Sequence, residues 1–213
     1  MAVTDGLRRR LRDVSPATSD RLDESGFLVA GAAAGLFGWG GTQLLAWLDP
    51  PHSAVAATAL WAVLMLAFSA VTVLHAPEAV RFSDAMFVWG TVNGTAMALT
   101  VAALAGLVPE RLGFWGAWAA ASALGYVGTG VLFVRAGATA RGRGYLSVGI
   151  VAVAVLALGA VAFGRVAPVV FLVLAAVHAV PLVLDAETSL SPAARGGTLA
   201  LVVAGLVGAG VVV

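Results

Sequence analysis

The sequence predicts an all-α, polytopic membrane bundle of seven transmembrane helices, with the N-terminus in the cytoplasm and the C-terminus outside. Three observations carry this reading: apolar stretches of span length between short polar breaks, scarce charge, and arginines concentrated in alternate breaks. Of 213 residues, 61% are hydrophobic and 11% charged, against about a quarter charged in soluble domains. A soluble domain could not bury that much apolar surface, whereas a bilayer accepts it on the outside of every helix.

A crossing needs about 20 predominantly apolar residues, and the chain divides accordingly. Residues 1–25 form a basic cytoplasmic segment and 26–213 the transmembrane domain. Within the segment, Leu7, Leu11 and Val14 stand four and three apart among arginines. That spacing suits either a short amphipathic helix on anionic headgroups or a positively charged tail that sets topology.

The first span, 26–48, ends at Asp49-Pro50-Pro51-His52, where two prolines stop a helix. The second, 53–76, is closed by Pro77-Glu78, and the third, 84–108, by Pro109-Glu110-Arg111. The fourth, 112–134, is followed by a loop over 135–144 with three arginines. The apolar run 145–184 is about twice a span. Its break at Gly164-Arg165, with Pro168 close behind, divides it into spans 145–163 and 166–184 joined by a tight turn. The seventh, 196–213, is just long enough to cross.

Short cytoplasmic loops retain arginine. This layout puts Arg8, Arg9, Arg10, Arg12, Arg21, Arg81, Arg135, Arg141, Arg143 and Arg195 on one side, leaving Arg111 and Arg165 on the other. Trp47, Trp115 and Trp118 are expected at the outer interface, with Trp61 somewhat deeper. The cell membrane, crossed several times, is the expected location.

Composition excludes several chemistries. There is no cysteine, hence no disulfide, thiolate nucleophile or cysteine zinc site. All 12 basic residues are arginine, so neither a lysine Schiff base nor a P-loop lysine is available. A net charge of +1 gives no reason to expect nucleic acid. The lipid bilayer is the expected partner, with a second copy or a membrane-complex subunit as further options.

Ionisable groups inside a membrane are costly and point to function. His75, Glu78 and Asp84 gather around the turn after the second span, and Asp185 and Glu187 follow the sixth. His178 lies about six residues, roughly 9 Å, inside that boundary. His178, His75, Asp84 and Asp185 therefore make a candidate proton or ligand site, and His75, His178 and Asp84 could bind a divalent metal through imidazole and carboxylate donors. Neither histidine belongs to an HxxxH or HExxH pattern, and an interhelical hydrogen bond from His178 is the plainer alternative. Asn93, near the bilayer midplane, heads an uncharged polar set with Thr91, Thr95, Thr100, Gln43, Tyr126 and Thr129. Such residues either join helices or line a midplane substrate site. Gly31 and Gly35, in a GxxxG arrangement, are expected to admit a close neighbour.

Arg81-Phe82-Ser83-Asp84 followed by Phe87 resembles the start of the third helix in microbial rhodopsins, which are also seven-helix proteins. The resemblance covers seven residues and implies a counter-ion role for Asp84 with Arg81 beside it; Ala179-Val180-Pro181 is similar to the kinked sixth helix. The chain departs from the family in having no lysine for retinal and in an arginine bias of opposite orientation. No covalently bound retinal is expected, and any other cofactor is open.

Three functions fit these residues. A small-solute or ion transporter, or the membrane subunit of a transport assembly, would need a polar path from Asn93 to His178 and Asp84. A membrane-embedded metal-dependent enzyme would use His75, His178 and Asp84. A lysine-free sensor or scaffold would have an uninterrupted apolar interior.

Overall fold

The structure is a computed structural model that describes residues 22–186, and these are helical throughout, joined by short turns and without strand. The expected seventh span and most of the basic N-terminal segment lie outside the described residues. Helix α1, Glu24–Leu48, starts where the Asp23 carboxylate accepts the Gly26 N–H at 2.7 Å, satisfying one of the free donors of a first turn. It ends at Asp49 in the left-handed conformation, ahead of the two prolines. Helix α2, Ser53–His75, is followed by the four-residue α3, Glu78–Arg81, and by α4, Asp84–Leu104. The Ser83 hydroxyl caps α4 by accepting the Met86 N–H at 3.2 Å.

The third span is shorter than expected. Gly106, at φ 72°, turns the chain while Leu107 N–H bonds back to Ala102 C=O at 2.8 Å. A glycine in the left-handed region is a common helix terminator, and the apolar residues beyond it are not helical. A π-helical turn, Leu112–Gly116, leads into α5, Ala117–Arg135. Gly137, at φ 85°, repeats the stop, with Ala138 N–H reaching Phe133 C=O at 2.9 Å.

Helix α6, Thr139–Val166, starts six residues before the span expected from 145, so the polar 135–144 stretch is mostly helix. Close backbone contact favours this. A Cβ on Gly130 would stand 2.9 Å from the Gly142 carbonyl oxygen, and one on Gly142 would stand 2.8 Å from that of Gly130. The two glycines let α5 and α6 meet almost at the turn. After a kink at Ala162 and a 3-10 turn at Ala167–Val169 containing Pro168, the chain reverses into α7, Val170–Ala186. Among the described residues, five stretches are long and apolar enough to cross a membrane, and the fifth, Thr139–Ala186, comprises both arms of this reversal.

The starts of α1, α4 and α6 and the ends of α2, α5 and α7 share one end of the bundle. Leu22 N–H bonds to His75 C=O at 3.1 Å, Arg81 to Val73 C=O at 2.9 Å, and Arg141 pairs with both Glu24 and Asp185. At the opposite end, Trp47 Nε1 donates to Pro168 C=O at 2.8 Å, and Arg111 donates to the carbonyls of Gly159 and Ala160. Helix α1 packs along α7 and α2, and α5 packs along α6 and α4, whereas α2 and α4 scarcely meet. Most of α2 points outward, with only Ala57 and Trp61 buried, the pattern of a helix in lipid.

Tryptophan placement departs from expectation. Trp47 is exposed, but Trp115 and Trp118 are buried within the bundle, as are Trp39 and Trp61. Trp39, Trp61 and Trp118 form a cluster with ring centroids 4.5 to 5.5 Å apart. Two of the buried N–H groups find internal acceptors, Trp61 donating to Thr42 Oγ1 at 3.1 Å and Trp118 to Thr100 Oγ1 at 2.9 Å, whereas the buried Trp115 Nε1 has no partner among the described residues. Depth along the membrane axis does not decide whether an indole faces lipid or protein.

Candidate functional site

The sparse seam between α2 and α4 opens onto a cavity of ≈ 750 Å³ inside the bundle. Its size falls within the range of small-molecule sites, roughly 300–1,000 Å³. Its inner end is the cluster of Trp39, Trp61 and Trp118, and its other end reaches Glu24 and Arg141. The wall is chiefly apolar, with Phe27, Phe68, Met65, Met97 and Trp89 among its members. A few polar groups interrupt it: Asn93, Ser122, Thr129 and His178 in the interior, and Ser69, Thr72 and Ser83 toward the charged end.

His178 reaches the cavity because α1 has no side chain at Gly35. A Cβ there would lie 2.0 Å from His178 Cδ2 and 2.8 Å from Nε2, distances no real pair of atoms adopts. The imidazole is hydrogen-bonded to the Gly31 backbone one turn away. The Gly31 and Gly35 pair is thus a notch for a ring, in addition to bringing two helix backbones together. Trp89 stands edge-on to His178 with centroids 6.1 Å apart, and edge-on to Tyr126 at 5.0 Å. Pro181 lies within α7 and cannot donate to the Val177 carbonyl. Beside that gap, the Tyr126 hydroxyl donates to the His178 carbonyl at 2.9 Å.

Thr129 is 2% exposed, and its hydroxyl has no hydrogen-bond partner among the described residues. A helical threonine ordinarily bonds to the carbonyl four residues back, as Thr42, Thr58 and Thr72 do here. A buried hydroxyl without an acceptor is unusual and costly, and this one lies in the cavity wall.

The charged end is held by one network. Arg141 binds Asp185 through Nε at 2.9 Å and through a second nitrogen at 2.5 Å, and reaches Glu24 at 2.6 Å. The Tyr145 hydroxyl donates to Asp185 at 2.8 Å, and the Arg141 guanidinium lies 4.5 Å from the Phe133 ring centroid. Two carboxylates and one guanidinium tie together the starts of α1 and α6 and the end of α7.

The five residues singled out from sequence occupy different surroundings. Asn93 and His178 line the same cavity. Asp185 is buried in the Arg141 network. His75 and Asp84 are exposed at the ends of α2 and α4 and do not line the cavity. Among the described residues, no three His, Asp or Glu side chains are grouped so as to hold a metal ion. Sequence reasoning counted Arg141 only toward topology and did not select Trp89 or Ser122. An arginine three residues into an apolar helix was the available signal for the first; nothing marked the other two. No protein family, curated protein or solved structure matches the chain.

Proposed function

We propose that this is a multi-pass cell-membrane protein that binds a small, largely apolar solute within the bundle and moves it, alone or as the membrane subunit of a transport assembly. The observation that carries this reading is the ≈ 750 Å³ cavity in which Asn93, Ser122, Thr129 and His178 interrupt an otherwise aromatic and aliphatic wall. A scaffold acting only through its surface has no need of such an interior. Pockets of this character, with a few convergent polar groups in an apolar lining, are the usual form of small-molecule sites.

Native mass spectrometry tests the proposal. Wild type should release a co-purifying small molecule on activation, and Ala34→Phe, which places a ring in the cavity, should carry less of it. His178→Ala should likewise reduce the bound fraction while leaving the protein assembled, because an interhelical hydrogen bond in a membrane averages about 0.6 kcal/mol. Equal loading of all three proteins would remove the cavity from consideration.

The same proposal includes a cytoplasmic N-terminus and seven crossings. Arg81, Arg135, Arg141 and Arg143 lie at the Glu24 end of the bundle, with Arg111 and Arg165 at the other, which supports that end as cytoplasmic. A reporter fused after Val213 should be active only when outside. Activity in the cytoplasm would reduce the count to six.

A further inference from the structure

We infer that the ligand is a neutral amphiphile dissolved in the bilayer, one small hydrogen-bonding head on an apolar chain or ring system, and that it enters sideways between α2 and α4. The inference rests on the cavity being a binding site and specifies what binds and by which route.

The route follows from the packing. Helix α2 is held through α1 and α4 through α5, and the two scarcely touch although both line the cavity. Gly90 and Gly94 of α4 line it, are exposed, and would carry a Cβ without meeting any atom of the described residues within 4 Å. Asn93 is nine residues into a helix that starts at Asp84, roughly 13 Å along its axis. The glycine window therefore stands at hydrocarbon depth, where only a membrane-soluble molecule is concentrated.

The chemical class follows from the lining. The deep polar groups available to a ligand are hydroxyl, amide and imidazole: Ser122, Thr129, Asn93 and His178. Thr129 contributes a buried hydroxyl without a partner among the described residues, which a ligand oxygen would satisfy. Among the described residues, the one guanidinium in the wall, Arg141, is already engaged by Glu24 and Asp185. A charged headgroup would meet no uncompensated counter-charge, while the aromatic wall at Trp39, Trp61, Trp89 and Trp118 suits an apolar body.

The test uses the indoles as reporters. In a Trp47→Phe background, which removes the exposed indole, the full chain is placed in phosphatidylcholine vesicles. It is titrated with 12-bromododecan-1-ol, a neutral amphiphile whose bromine quenches tryptophan on contact, and separately with water-soluble acrylamide. Bromododecanol should quench strongly and saturably. Gly90→Leu/Gly94→Leu, at positions where a Cβ meets no atom of the described residues within 4 Å, should cut that quenching severalfold at an unchanged melting temperature. Ala79→Leu, at the charged end, should leave it unchanged.

Loss of quenching in Ala79→Leu with the window variant unaffected would overturn the lateral route and leave the binding site standing. Quenching by acrylamide but not by bromododecanol would overturn the amphiphile and favour a water-soluble solute. No saturable quenching by either probe would overturn both this inference and the functional proposal beneath it.

Discussion

Arg141→Ala is expected to destabilise the bundle by about 3–5 kcal/mol, the cost of leaving a buried charge without its partner. Asp185 is 6% exposed, and Arg141 supplies three of the hydrogen bonds to its carboxylate. The Tyr145 hydroxyl would still donate to it at 2.8 Å, but a neutral donor does not replace a guanidinium. Glu24, by contrast, has a side chain 56% exposed, so Glu24→Gln should cost no more than about 1 kcal/mol. Reversible unfolding of the two variants in the same detergent checks the ranking. The double variant Arg141→Met/Asp185→Leu removes both charges and should recover most of the loss, since an ion pair replaced by apolar groups is often neutral. An Arg141→Ala protein within about 1 kcal/mol of wild type would place the network among weak surface pairs.

Gly35→Ala is the second large effect. Alanine is the better helix former by about 1 kcal/mol, so local propensity alone predicts a gain. The new methyl group would overlap the His178 ring, however, at 2.0 Å from Cδ2, and overpacking of this kind typically costs about 1–3 kcal/mol. We expect a net loss, visible as a lower melting temperature. In a double variant with His178→Ala the penalty should largely disappear, because the atoms that collide are gone. Gly90→Ala, where no atom of the described residues lies within 4 Å, is the control and should be neutral or slightly stabilising. If Gly35→Ala behaved like Gly90→Ala, the notch would not constrain α1 against α7.

Both effects arise at positions that the sequence marked only in part. The GxxxG spacing of Gly31 and Gly35 announced a close neighbour but not that the neighbour would be a ring from a helix more than 140 residues later. Asp185 was recognisable as an ionisable group beside a span, while its partner Arg141 was read as a topology signal. Asp84, singled out as an ionisable group flanking the turn after the second span, is an exposed residue at the start of α4 outside the cavity.

What the sequence determined by itself was where the long apolar helices lie along the chain. Apolar run length and proline placement located the long helices, because the length of an apolar run records how far a helix can travel through hydrocarbon and a proline ends it. The span ends were less legible where a glycine in the left-handed region intervened: α4 stops at Leu104, two residues before Gly106, and α6 begins at Thr139, two residues after Gly137. Rotation about each helix axis, and the choice of neighbour, were decided by the tertiary structure. A membrane helix is apolar toward lipid and toward protein alike, so its pattern carries little record of which face turns inward. That is why Trp115 and Trp118 could be assigned a depth but not a direction, and why the cavity joining Asn93 to His178 emerged only when α1, α4, α5 and α7 were brought together.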